Sequence, residues 1–294
     1  MRKLVSVQDA SVNFVEEQLQ GFLESRFVRR VPEYFICYLS SQSGCNHGCR
    51  FCHLTTTKQT KFENVNVAEY HAQAVRVLRH FSQEPADVQR DTKYVHFNFM
   101  ARGEALSNQH FLNNADRVLW GLGKTALQYG DLRSKFNVST IMPQNLCTDN
   151  VELTDIFRIV HPTIYYSLYS ANPEFREKWM PRAMRLDSAL ELLANYQQYS
   201  KKRIKIHHCF IRGVNDSVEE LDRWLDALLS YDLDWDFNLV RYNPWSAVQG
   251  EESPEDVIAF NLEYIAQACL GRVKTIPRVG YDVKASCGMF VGKQ

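Results

Sequence analysis

The sequence predicts an α/β protein whose core is a partial or near-closed parallel barrel, preceded by a small β extension. Three observations lead there. From residue 33 onward, short β-branched and aromatic runs alternate with longer segments of helical periodicity, six or seven times over. Such alternation builds a parallel sheet with helices outside it, and the count suits a barrel better than a two-halved open sheet. Small, polar and acidic residues also recur where those runs end, which is where a parallel barrel presents its ligands. Finally, no repeat, low-complexity stretch or Pro/Gly-rich linker breaks the pattern.

The elements follow in order. Residues 3–7, 11–15 and 24–30 are short and β-leaning, and read as a small N-terminal layer spanning 1–32. The apolar run 33–41 (EYFICYLSS) opens the barrel unit, 33–294. Val67, Tyr70, Ala74, Val75 and Leu78 give residues 65–83 a helical face. Strands are then expected at 93–100, 135–140, 163–169, 203–211, 235–241 and 273–277. Helices are expected at 109–129, 150–158, 187–200, 218–230 and from 254. Ser217 and Glu220 stand in capping-box relation. Ser253 reads as an N-cap, with Pro254 at the first helical position.

Composition narrows the function. The 294 residues, 45% of them hydrophobic, suffice for a sizeable core. Thirty-four basic and 34 acidic side chains cancel, so a generally basic nucleic-acid coat is excluded, while a local patch is not. Arg26, Arg29 and Arg30 form one small basic cluster, read as a solvated strand edge with phosphate contact as the alternative. No apolar h-region and no run of 18 apolar residues is present, so neither a signal peptide nor a membrane span is expected. Eight cysteines without a regular framework point to a reducing, cytoplasmic setting.

The chemistry centres on residues 40–55, SSQSGCNHGCRFCHLT. Cys45, Cys49 and Cys52 lie within eight residues, spaced to hold a metal or cluster. Three cysteines on a 4Fe–4S cube leave one iron free for another ligand. A zinc site completed by His47 or His53 is the alternative, although zinc sites usually add a second ligand pair further along the chain. Gly103 and Glu104, Ser139 and Thr140, Ser167 and Tyr169, and Asn243 and Pro244 lie at successive strand ends. Cys287, in ASCG near the end of the sequence, is a candidate nucleophile or an ordinary buried thiol. Cys147, Cys209 and Cys269 lack metal spacing and read as core or surface thiols. His207 and His208, adjacent in a strand, point to opposite faces. Trp245 reads as core packing, with pocket lining as the alternative.

Taken together, the ordered motifs SSQSGCNHGCRFC, RGEALSN, YYSLYSANPEFREKWMP, VNDSVEEL, NLVRYNPW and YDVKASCGMF resemble those of the radical S-adenosylmethionine (SAM) adenine methyltransferases of RNA, the RlmN/Cfr type, from about residue 36 to 290. The resemblance implies a radical SAM barrel with a 4Fe–4S cluster on Cys45, Cys49 and Cys52. It implies SAM contacts from Gly103, Glu104, Ser139, Ser167 and Asn243, and a methyl group relayed through Cys287 to carbon 2 or carbon 8 of an adenine in ribosomal or transfer RNA. Two SAM molecules are consumed, one for the methyl group and one for a radical. A second cysteine then forms a disulfide with Cys287, and Cys37 is the candidate. The resemblance implies an external low-potential electron donor such as flavodoxin or ferredoxin; a monomer with no membrane partner is expected.

Departures from the family pattern are equally specific. Cys37 lies eight residues before Cys45 where the family has seven, and in a strand one residue reverses the face unless a bulge intervenes. Tyr169 stands where the family has His, and Ala105 where it has Pro. The 44 residues before Cys45 are too few for the family's added helical domain, which leaves a different radical SAM reaction, on a small molecule, peptide or DNA, as the alternative.

Overall fold

The computed structural model describes residues 1–292; the last two residues of the expected 33–294 unit lie outside the described residues. Ten strands form one sheet in chain order: β1 (Arg2–Val5), β2 (Val12–Glu17), β3 (Phe22–Val31), β4 (Tyr34–Tyr38), β5 (Tyr94–Phe99), β6 (Arg133–Thr140), β7 (Thr163–Ser167), β8 (Ile204–His208), β9 (Trp235–Val240) and β10 (Val273–Ile276). Pairing is antiparallel from β1 to β4 and parallel from β4 to β10. The N-terminal strands therefore continue the barrel sheet across its β4 edge. Among the described residues β1 and β10 do not pair, so the sheet curls without closing by hydrogen bonds. Its curl is evident from a single lumen, about 1040 Å³ including space open to solvent, lined from β3 round to β10.

Strand alternation divides the two faces. Tyr34, Ile36 and Tyr38 of β4 line the lumen. Phe35 and Cys37 between them are fully buried under the outer helices. On β8, Ile206 and His208 are buried outward, and His207 faces inward. The outer core packs these faces against Val77, Leu78 and Phe81 of the helix Val67–Phe81, Leu119 and Leu122 of Gln109–Ala126, Leu190 and Leu193 of Leu186–Ser200, and Trp224 and Leu228 of Val218–Ser230. Each such side chain contributes about 1.5–3 kcal/mol by leaving water.

All ten expected strands are present within a few residues of their expected bounds. The short helices Ala86–Asp91 and Pro173–Trp179 were not legible, each being too short to establish a period. Ser217 does cap its helix, accepting from the Glu220 N–H at 3.4 Å. The Glu220 carboxylate, however, turns to Ser170 at 2.6 Å, so the reciprocal half of the box is absent. The helix Glu255–Ala268 takes Pro254 as its N-cap, one residue later than expected, because Ser253 Oγ is engaged by Asp216 at 2.7 Å.

Candidate active site

The cysteine loop leaves the C-terminal end of β4 and is zipped to the segment leaving β5. Leu39 N–H donates to Asn98 O (2.8 Å), Ala101 N–H to Leu39 O (3.2 Å) and Ser41 N–H to Arg102 O (2.7 Å). Gln73 brackets Ser40 from the outer helix, accepting from its N–H (2.9 Å) and donating to its carbonyl (3.1 Å). Gly103 sits where the two segments cross. Its φ is +82°, and a Cβ there would lie 2.5 Å from Gln42 Cβ. Gly103 thus lets the backbone turn flush against the cysteine loop. One cavity, about 640 Å³ including open space, is lined by Cys45, Cys49, Cys52, Gly103, Glu104, Ser139 and Ser167 together.

Burial dominates the electrostatics of that cavity. It raises all three thiols, Cys45 to about 12, and neighbouring thiolates add to the effect on Cys45 and Cys49. The three sulfurs share a wall; among the described residues no three His, Cys, Asp or Glu side chains are grouped to grip a single ion. Burial raises the Glu104 carboxyl to about 7, although Ile141 and Leu106 N–H groups each donate to it at 3.1 Å. His47 lines the same cavity with both ring nitrogens buried and without a partner among the described residues, and burial lowers it to about 4. His53 is engaged elsewhere, its Nε2 2.9 Å from the Asn243 carbonyl.

Ser139 and Met100 line both this cavity and the lumen, so the two spaces adjoin. Cys287 and Asn243 line the lumen. Asn243 Nδ2 donates to the Cys287 carbonyl at 3.0 Å, while its Oδ1 is buried without a partner among the described residues. Cys287 is solvent-accessible, yet the space it faces is walled by protein. Desolvation therefore pushes its thiol up to about 11, Cys52 adding to the effect and Arg26 and Arg30 opposing it.

A buried ion network fixes the tail that carries Cys287. Glu24 accepts at both oxygens: from Arg102 Nε (2.7 Å) and Val291 N–H (3.0 Å), and from Arg26 (2.8 Å) and Asn13 Nδ2 (2.7 Å). Arg26 also donates to the Ala285 (3.1 Å) and Met289 (2.8 Å) carbonyls, and Arg102 to that of Val291. Burial alone would raise the Glu24 carboxyl, but the two guanidiniums and Asn13 outweigh it and hold it below its ordinary value. Arg26 is thus a tail anchor, 3% exposed, and not part of a solvated edge; Arg30 lines the lumen. Neither Glu24 nor Arg102 was singled out in the sequence.

Cys37 is the expected site residue that lies apart from the rest, packed outward in the main core. Cys209 lies nearer. It follows β8 in the inward phase of His207 and belongs to a second buried cluster with Cys49, Tyr169 and Tyr242. After burial, charge on Cys287 is the next influence raising its thiol. Trp245 is neither core nor pocket wall: it is 47% exposed at the rim, edge-on to His53 at 5.1 Å. All eight cysteines are free.

No family model matches the chain. The crystal structure of a radical SAM methyltransferase from Sphaerobacter thermophilus superposes with a TM-score of 0.76 at 20% identity, covering 98% of this chain and 80% of that one. The chain thereby shares the fold of that protein. Curated relatives include the "Dual-specificity RNA methyltransferase RlmN" of Phenylobacterium zucineum, 29% identical over 258 residues, and the "Probable dual-specificity RNA methyltransferase RlmN" of Desulforamulus reducens, 26% identical over 289 residues. These alignments cover 86% and 97% of this chain, and the chain spans 62% and 76% of those relatives. The chain is thus similar, over most of its own length, to curated RlmN-type RNA methyltransferases.

Proposed function

We propose that this protein is a radical SAM methyltransferase that adds a methyl group to carbon 2 or carbon 8 of an adenine in ribosomal or transfer RNA, relaying that group through Cys287. One observation carries the reading: a cavity lined by Cys45, Cys49, Cys52, Gly103 and Glu104 adjoins, at Ser139 and Met100, a lumen lined by Cys287.

The residues fit the implied groups. Three thiols around one cavity suit a 4Fe–4S cluster with a free iron better than a single ion, which needs its ligands converged on a point. Among the described residues Glu104 is a buried carboxyl with no cation beside it, and a methionyl ammonium is the partner it would take. The unpartnered nitrogens of His47 and Oδ1 of Asn243 leave polar valence for a ligand. When bound, the cluster and two SAM molecules supply a methyl group and a carbon-centred radical.

The chain's own residues do the rest. Cys45, Cys49 and Cys52 would hold the cluster, which would draw its electrons from an external low-potential donor such as flavodoxin or ferredoxin. Glu104 orients the amino acid end of SAM, and Ser139 and Ser167 stand where its carboxylate or ribose would be bound. Asn243, by gripping the Cys287 carbonyl, aims Sγ into the lumen; that sulfur gives up its proton as it accepts a methyl group. Phe51 and Tyr169, their rings 4.3 Å apart, pack together where the cavity meets the second buried cluster. An adenine reaches the lumen by being flipped from its RNA, and the exposed ring of Trp245 at the rim offers a face for stacking.

The test is anaerobic reconstitution with iron and sulfide, addition of SAM without RNA, and peptide mass spectrometry. A methyl group on Cys287 is expected. SAM cleavage with Cys287 left unmodified would overturn the relay and favour a radical SAM reaction on another substrate.

A further inference from the structure

The relay needs a second thiol, and strand geometry bears on which one. On β4 the lumen-facing residues are Tyr34, Ile36 and Tyr38. Cys37 therefore points to the helices, 0% exposed, with the thickness of the sheet between its sulfur and the lumen. On β8 the phase is the opposite. Ile206, His208 and Phe210 are buried outward, with the His208 ring 5.7 Å from Trp224. His207 faces the lumen, and Cys209, one residue past the C-terminal end of the strand, turns away from the outer core into the second buried cluster at the level of the site.

Its surroundings tie it to Cys287. Cys209 packs with Tyr169, Tyr242 and Cys49. Tyr242 immediately precedes Asn243, whose amide holds the Cys287 carbonyl. Asn215 pins the Cys209 carbonyl (3.0 Å) and the Tyr169 carbonyl (2.8 Å) with one amide, so this wall is fixed. Tyr169 lies where charge on Cys209, on Cys287 and on Cys49 all bear on its hydroxyl. We propose that Cys209, and not Cys37, is the thiol that forms a disulfide with Cys287.

This inference rests on Cys287 being the site's reactive sulfur. In turnover, the Cys209 thiolate attacks Sγ of Cys287 while that sulfur is joined through the added carbon to the adenine. An S–S bond forms and the S–C bond breaks; its electron pair goes to the carbon, which takes up a proton. A dithiol reductant then returns both cysteines to thiols.

The pairing is testable without methylation. Protein carrying its cluster is treated anaerobically with oxidised glutathione, with no SAM and no RNA, then alkylated, digested and mapped by mass spectrometry. Two protein thiols become one disulfide while one glutathione disulfide becomes two thiols. The expected product is a Cys209–Cys287 peptide pair, lost in Cys209→Ser and retained in Cys37→Ser. The same mapping on a Cys45→Ser, Cys49→Ser, Cys52→Ser variant removes exchange with liberated cluster thiols and should give the same pair. A Cys37–Cys287 pair, a bond from Cys287 to a cluster cysteine in the loaded protein, or Cys287 remaining as the glutathione adduct beside a free Cys209 would each overturn it. If the pair forms but Cys287 never accepts a methyl group, the proposed reaction fails and the pairing stands. With RNA present, Cys209→Ala should accumulate a covalent protein–RNA adduct on Cys287, which Cys37→Ala should not.

Discussion

Glu24→Gln probes the tail anchor, and its cost can be reasoned from the contacts. The carboxylate accepts four hydrogen bonds and lies against two guanidiniums, with Glu24 and Arg102 both 0% exposed and Arg26 3%. A glutamine keeps the volume and one acceptor oxygen, but it leaves two buried cations uncompensated. Breaking a buried pair in this way costs about 3–5 kcal/mol, and at about 2–3 °C per kcal/mol for a chain of this size the unfolding midpoint should fall by roughly 6–15 °C. Thermal unfolding followed by circular dichroism reads it. The Glu24 carboxyl is held below its ordinary value, so its contribution is present above the ordinary carboxylate pKa and is lost as pH falls through the depressed one. The loss caused by Glu24→Gln should therefore shrink in strong acid. Adding Arg102→Met should restore part of the stability, because it removes one of the orphaned cations. A midpoint at pH 7 unchanged within about 2 °C would refute the argument, since 3 kcal/mol cannot vanish into that interval.

Other consequences follow from the same site. Glu104→Gln removes a carboxyl whose ionisation is opposed by burial, so the unliganded protein should gain up to about 3 kcal/mol in a chemical denaturation series at pH 8, a gain that fades below pH 7. SAM binding measured by calorimetry should weaken in wild type as pH falls through about 7, and should be weak and flat with pH in Glu104→Gln. Gly103→Ala places a Cβ 2.5 Å from that of Gln42 at a φ of +82°, and should cost at least ~2 kcal/mol, read by the same denaturation series. With its thiol at about 11, Cys287 holds about a hundredfold less thiolate at pH 7 than an unshifted thiol of 9.0. The higher nucleophilicity of that thiolate recovers about tenfold, so iodoacetamide should modify Cys287 roughly tenfold more slowly than a free cysteine; equal rates would contradict the desolvated setting.

The fold was legible because each β-α unit is short, periodic and uninterrupted, which is the condition under which pattern reading works. The placement of Cys45, Cys49, Cys52, Gly103, Glu104, Ser139 and Ser167 around one cavity was legible for a related reason: strand ends of a parallel barrel converge, so residues far apart in sequence could be assigned to one rim before any contact was known. Glu24 and Arg26 were hidden by the opposite circumstance. In an antiparallel run, alternating charges read as a wet edge, and nothing local reveals that the far end of the chain will cover them. Cys209 was hidden by depth. Its face follows from counting along β8, but its nearness to Cys287 depends on where a non-periodic tail comes to rest. Cys37 illustrates the cost of a single residue, since seven and eight look alike in a motif and differ by the two sides of a sheet.

The unclosed seam of the barrel accounts for both the tail and the N-terminal strands. Among the described residues no further strand pairs beyond β10, and the chain returns across the gap to the β1–β2 turn, β2 and β3. Asp282 meets Ser6 Oγ (2.8 Å) and Val7 N–H (2.9 Å), Asp9 accepts from Gly280 N–H (2.7 Å), and Asn13 donates to Val283 O (3.0 Å), before the Glu24 network takes over. Polar groups of the β1–β2 turn and of β2 and β3 thereby tie down the tail in place of a ladder. The segment so held is irregular, and irregular backbone can turn a carbonyl toward Asn243 and a sulfur toward the lumen, where a strand would have committed Cys287 to a fixed alternation. The antiparallel extension thus has a definable role in the site: it supplies the buried charges that hold an otherwise unpaired tail, and with it Cys287, against the open edge of the barrel.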